Sequence, residues 1–128
     1  MLEKPSVMAM AGAMSSHAAF RQGLIAENIA NADTPGYRSK DAAAFSEAFG
    51  SDPGPDLRVT RAGHVRGGSG GEGRDIVEIV PGHLSPNGNG VSLEAEMVRA
   101  AEVRRDHDTA LAVYRTSLDI LRASLGRR

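Results

Sequence analysis

Residues 92–125 read SLEAEMVRAAEVRRDHDTALAVYRTSLDILRASL. Met97, Ala100, Arg104, His107, Leu111, Tyr114, Leu118, Leu121 and Leu125 alternate spacings of three and four without a slip. That is a heptad seam on an α-helix. Ser92 is placed to cap its N-terminus, Glu94 and Glu96 suit the first turn, and Arg122, Arg127 and Arg128 suit the last. At 1.5 Å per residue the rod is about 50 Å long, more than a small globular domain needs. The seam is impure at Arg104 and His107 and clean from Leu111 onward. His107 reads as a partly buried polar residue that sets register.

A second, weaker helix is predicted from about Val7 to Asn31. Its stripe is Val7, Met10/Ala11, Met14, Ala18, Ile25, Ile29 and Ala32, interrupted by Arg21 and Gln22. Gly12 and Gly23 each cost roughly 1 kcal/mol against Ala, so this helix needs a packing partner. Between the helices hydrophobicity drops. Ser51-Asp52-Pro53-Gly54-Pro55 reads as a turn, Gly67 to Gly73 as a flexible linker, and Asn87-Gly88-Asn89-Gly90 as a strong turn. Leu57–Thr60 and Ile76–Val80 are short strand candidates, forming a small hairpin or irregular loop. The expected fold is mainly α. Two long terminal helices pair as an antiparallel coiled coil across a Gly-rich irregular segment. The parts are residues 1–37, 38–90 and 91–128 of one structural domain.

Composition restricts function. The chain has 128 residues, and its 41% apolar content includes nineteen alanines, with no Trp and fifteen glycines. Little large side-chain volume remains for the thick core of a pocketed enzyme. Fifteen basic against sixteen acidic residues leave a net charge of -1, without the basic excess of a nucleic-acid binder. The absence of cysteine excludes disulfides and thiolate chemistry. No apolar run of transmembrane length occurs, and the Met/Ala-rich N-terminus, broken by Gly12, Ser15 and Ser16, lacks the form of a cleaved signal.

No constellation of reactive groups assembles. The Gly-rich stretch is followed by Arg74-Asp75 and a strand candidate, not by the helix and Lys-Ser/Thr of a phosphate loop. Asp106, His107 and Asp108 point about 100° apart on a helix and cannot share an ion. His17, His64 and His83 lack partners at zinc-binding spacing. Neither a cofactor nor a small-molecule substrate is expected.

The informative turn is Asn28-Ile29-Ala30-Asn31-Ala32-Asp33-Thr34-Pro35-Gly36-Tyr37. Pro35 disfavours a helical Thr34, so the first helix stops there. Pro-Gly suits the centre of a type II turn. Asn28 and Asn31 carry amides able to satisfy carbonyls freed at the helix end, and Tyr37 follows as an amphipathic anchor. By its physics alone this could equally be an ordinary helix stop.

The segment NIANADTPGY resembles the N-terminal signature of bacterial flagellar rod, hook and hook-associated proteins. Its Asp-Thr-Pro-Gly-Tyr ending is most similar to proximal-rod proteins of the FlgB type, ahead of the FlgC type. Thr60-Arg61-Ala62-Gly63-His64-Val65 and Ser85 to Met97 resemble further stretches of that family. The resemblance implies a structural subunit of the flagellar basal-body rod. Its terminal helices would assemble into a helical tube, with Asn28, Ile29, Asn31, Thr34, Pro35, Gly36 and Tyr37 as an assembly motif. It also implies export without a cleaved signal through the flagellar type III apparatus. The implied partners are other rod subunits, further copies of the chain, the rod-to-ring adaptor, the membrane ring and the export apparatus. A competing reading is a soluble helical-hairpin adaptor that binds one partner helix in the cytoplasm.

Overall fold

The computed structural model describes residues 7–50, 76–79 and 82–126. The elements in chain order are α1 (Val7–Ala30), β1 (Lys40–Ala42), α2 (Phe45–Gly50), β2 (Ile76–Glu78) and α3 (Leu93–Ser124). The chain is mainly helical, with one long helix near each end. The turn expected at Ser51–Pro55, the strand at Leu57–Thr60, the linker at Gly67–Gly73 and the Thr60–Val65 stretch lie outside the described residues.

Local chemistry sets the limits of α3. Ser92 is extended (φ -102, ψ 114) and its hydroxyl accepts from the Ala95 N–H, which satisfies one of the free donors of the first turn. Glu94 and Glu96 lie at the positive end of the helix dipole and Arg122 at the negative end. Gly126, at φ +75, turns the chain out of the helix just after Leu125, a backbone state that glycine enters without penalty. Helix α1 has neither an acidic first turn nor a basic last turn, so its stability rests on packing.

That packing is against α3. Ala18, Ile25 and Val103 form the buried apolar cluster, with Ala100 half-buried beside it. Buried positions recur every seven residues on both helices: Ala11, Ala18 and Ile25, with His17 and Leu24 one position before the latter two and Asn28 one turn further on, in α1, and Glu96, Val103 and Ala110 in α3. Of these positions Ala11, Ala18 and Ala110 are small, and Ile25, Glu96 and Val103 are the largest fully buried side chains. The face of α3 that meets α1 is therefore one position away from the residues of the predicted seam. Of those, Ala100, His107, Leu111 and Leu118 are half-buried, whereas Arg104 and Tyr114 are exposed. Met97 is 62% exposed, Leu121 49% and Leu125 84%.

The two strands form one antiparallel ribbon, with Lys40 opposite Glu78, Asp41 opposite Val77 and Ala42 opposite Ile76. Ile76–Glu78 is thus a strand as expected, but its partner is Lys40–Ala42, which the sequence reading left unassigned. The segment containing β1 runs back along α1. Arg21 clasps Asp41 through two hydrogen bonds of 2.8 and 2.6 Å, and His17 Nε2 donates to the Ala43 carbonyl at 2.9 Å. The His17 ring also packs on Phe45. No helix among the described residues is long and apolar enough to cross a membrane.

This packing separates two kinds of apolar residue. Ile25→Ala removes the largest buried side chain of the cluster and should lower unfolding free energy by about 2–5 kcal/mol. Met97→Ala, at an exposed site, should change it by less than about 0.5 kcal/mol. Urea denaturation of the purified variants measures both.

Candidate functional site

The end of α1 and the start of α3 meet in a polar junction with a buried centre; of the motif residues Asn28 lies in that centre and Asn31, Thr34, Gly36 and Tyr37 at its rim. Helix α1 closes through the Asn31 N–H, which bonds the Glu27 and Asn28 carbonyls, and the Ala32 N–H, which bonds that of Ile29. The Asn31 side chain donates to the Glu27 carbonyl at 2.9 Å, the capping role expected of it. Its Oδ1 accepts from the Thr34 hydroxyl.

The Thr34 carbonyl then accepts from the Tyr37 N–H at 3.3 Å, and Gly36 between them has φ +72. Pro35 at the second position and a positive φ at the third define a type II turn. A Cβ built on Gly36 meets nothing within 4 Å, so only backbone conformation restricts this position.

This turn is held by the one that precedes α3. The Gly36 N–H donates to the Asn87 carbonyl at 3.2 Å and the Gly90 N–H to the Tyr37 carbonyl at 2.9 Å. Asn89, only 2% exposed, fits between them. Its Nδ2 donates to the Asn31 carbonyl at 3.0 Å and the Thr34 carbonyl at 2.6 Å, and its Oδ1 accepts from the Val91 N–H at 2.7 Å. One side chain thus satisfies two carbonyls at the end of α1 and a donor just before α3.

Asn28 differs from its expected role. It does not cap helix-end carbonyls but points into the junction, fully buried. Its Nδ2 reaches the Lys40 carbonyl at 2.7 Å, the Ser39 hydroxyl at 3.1 Å and Glu96 Oε2 at 3.1 Å. Its Oδ1 accepts from the Lys40 N–H at 3.0 Å. Glu96 has 0% exposure, and its other oxygen accepts from the Ser39 hydroxyl at 2.7 Å and from the Arg99 guanidinium. Every buried side-chain polar atom among the described residues has a partner. Glu96, Ser39 and Asn89 were not singled out as buried by sequence reasoning. The signal for Glu96 was its seven-residue spacing to Val103 and Ala110.

Around this core lies a looser, exposed shell. Tyr37 donates to Glu27 at 3.2 Å, and Lys40 pairs with Glu27 at 2.9 Å while lying over the Tyr37 ring. The Lys40 and Tyr37 hydrogen bonds hold the Glu27 carboxyl below its ordinary range. Burial, then the hydrogen bond to Glu27, raises the Tyr37 hydroxyl. Ile29 and Pro35 are exposed. Beside the junction a groove of about 660 Å³ runs between the helices, lined by Ala18, Gln22, Ala100, Val103, Arg104 and His107 among others.

Residues 11–38 match the family described as "Flagella basal body rod protein". The match begins at the first buried alanine of α1 and ends just past the type II turn. The chain is 31% identical over 93 residues, 73% of each chain, to the flagellar basal body rod protein FlgB of Cereibacter sphaeroides. It is 32% identical over 106 residues, 77% of each, to that of Salmonella typhimurium.

The chain belongs to the FlgB family of flagellar basal body rod proteins.

A third FlgB relative, from Yersinia enterocolitica, is 30% identical over 101 residues. In this FlgB-type chain the Asn28–Tyr37 and Ser85–Met97 stretches, far apart in sequence, are the two halves of one hydrogen-bonded junction.

Two outcomes follow from the junction's geometry. Burial pushes the Asp41 carboxyl up, but the Arg21 hydrogen bonds, the Ala42 N–H and the charges of Arg21 and Arg99 outweigh it, so it lies below the ordinary 3.8. Its contribution to stability is therefore complete above that value and is lost as pH falls through the depressed one. Urea midpoints measured from about pH 5 down to pH 3 should fall less steeply in Asp41→Asn than in the parent. At the turn, Gly36→Val should cost on the order of 1–3 kcal/mol for a β-branched residue at positive φ. Gly36→Asn should cost clearly less, because Asn enters that region more readily. Equal costs in the same denaturation assay would contradict the type II assignment.

Proposed function

We propose that this chain is a structural subunit of the proximal flagellar rod that assembles through its two long helices into a helical tube. The observation that carries the reading is the apolar surface left over once α1 and α3 have packed. Tyr114, Ile120, Leu121 and Leu125 on the later half of α3, and Met97 and Val98 near its start, are exposed. Exposed apolar surface of this extent marks a protein–protein contact. At 1.5 Å per residue, α3 is also longer than the described α1 by about 12 Å.

In this reading the pair is an antiparallel coiled coil. Asn28 near the end of α1 reaching Glu96 near the start of α3 supports that direction, as does Ile25 in the cluster with Val103. Met97, His107, Leu111, Tyr114, Leu118, Leu121 and Leu125 form the seam toward neighbouring subunits, while Ala100 packs on the cluster between α1 and α3. The groove between the helices, with Ala18, Ala19, Ala100 and Ala101 in its lining, offers holes for large side chains of another copy. A head-to-tail contact of this kind does not close on itself and propagates as a helical filament.

The Asn28–Tyr37 motif acts by fixing how α1 and α3 meet, and so where the outer seam points. Neighbours in the assembly are other rod subunits, the rod-to-ring adaptor and the membrane ring, reached by export through the flagellar type III apparatus without a cleaved signal. The family relationship supports a location in the flagellar basal body.

Leu121→Asp tests the outer seam apart from the inner one. The substitution lies on an exposed position and should change the isolated chain's unfolding free energy by less than about 0.5 kcal/mol. A carboxylate buried between subunits costs far more, so the variant should be missing from purified basal bodies and the cells non-motile. Normal incorporation and motility would refute the seam assignment.

A further inference from the structure

Residues 87–90 contain two Asn-Gly pairs in succession. Glycine has no Cβ, so its backbone nitrogen approaches a preceding side-chain amide unhindered. The reaction this permits is deamidation. The deprotonated glycine nitrogen bonds to the asparagine Cγ, the Cγ–Nδ2 bond breaks, and ammonia leaves. Water then opens the resulting succinimide at either carbonyl, giving aspartate or isoaspartate. Water is the only co-reactant.

At Asn89–Gly90 the junction occupies every group that must react. The Gly90 N–H, the future nucleophile, donates to the Tyr37 carbonyl at 2.9 Å. Asn89 Nδ2, the future leaving group, is tied to two carbonyls, and Oδ1 to the Val91 N–H. The side chain is buried, away from base and water. Bringing Cγ onto the Gly90 nitrogen requires breaking these bonds, which means parting the end of α1 from the start of α3. Asn87 is exposed; the Gly88 N–H donates to the Ser85 carbonyl at 2.8 Å and Asn87 Oδ1 accepts from the Asn89 N–H at 3.0 Å, so its reacting groups are held only within a local, solvent-facing turn and not by the end of α1.

We propose that Asn89 is a deamidation site gated by folding: closed while the α1–α3 junction is formed, reactive whenever it opens, and destructive of the junction once it has reacted. The product explains the last property. An ionised aspartate has only acceptors, so an oxygen would face the Asn31 and Thr34 carbonyls where Nδ2 now donates at 3.0 and 2.6 Å. Isoaspartate, in addition, lengthens the main chain by one carbon and draws the Gly90 N–H away from Tyr37. A chain left open therefore loses its capacity to form the junction irreversibly.

The test incubates the full chain at mildly alkaline pH, in native buffer and in urea, and follows both asparagines by peptide mass mapping with resolved isoaspartyl products. In urea the two sites should convert at comparable rates. In native buffer Asn89 should convert at least about tenfold more slowly than in urea, since it must await local opening, and more slowly than Asn87. Asn28→Ala, which leaves residues 87–90 unaltered and removes the bond from α1 to Glu96 at the start of α3, should raise the native rate at Asn89 toward its urea rate by a clearly larger factor than at Asn87, whose Gly88 N–H is held within its own turn. An equal rate at Asn89 in both solvents, inertness of Asn89 in urea, or a native rate indifferent to Asn28→Ala would each overturn the proposal.

Discussion

Glu96 carries a carboxylate with no access to solvent, in a chain with few large apolar side chains to offset the cost. A buried carboxylate without partners costs several kcal/mol or more. Its partners here come from three places: Asn28 at the end of α1, Ser39 in the returning segment, and Arg99 one turn further along α3. None of these parts can shift without stranding the charge, and removing one partner of a buried ionic group is far costlier than never having built it. The alanine-rich helix interface would by itself tolerate sliding by a heptad. The polar junction does not, so it sets the register in which Ile25 meets Val103.

The backbone of the two turns extends the same constraint. Pro35 and Gly36 reverse the chain, the Gly36 N–H and Tyr37 carbonyl bond to the residues before α3, and Asn89 fills the gap between. The cost of ordering these short polar segments is met by a connected set of hydrogen bonds around the buried Asn89, where an unmade one is expensive. Arg21 and Asp41 then pin β1 to α1 at the edge of the junction, within reach of the β2 strand.

Much of this was legible in the sequence. The limits of α3, its Ser92 cap and the Gly36 turn all depend on local chemistry that the residues state directly, whereas α1 ends at Ala30, several residues ahead of Pro35. The face on which α3 meets α1 was not. A search for large apolar residues selects Met97, Leu111, Leu118 and Leu125, whereas the contact within the chain uses Val103, Ala110 and a glutamate. Alanine carries little hydrophobic signal, and Ala110 is buried only because the two helices pack. Asn28, Glu96 and Asn89 read as surface or turn residues for the same reason, since their burial depends on partners as many as 68 positions away. The Lys40–Ala42 strand was missed because three residues of mixed character have no period to detect.

The chain thus has an inner face that is small and polar at one end, and an outer face that is large and apolar. The first joins the two long helices, and the second stays exposed. This division depends on the junction being one cooperative unit. A double-mutant cycle with Asn28→Ala, Glu96→Ala and the pair, read by urea unfolding of the full chain, measures that directly. The account predicts that the pair costs at least about 1 kcal/mol less than the sum of the single changes. Costs that add to within about 0.5 kcal/mol would mean that the two residues do not act through each other, and that the register of the helices is set elsewhere.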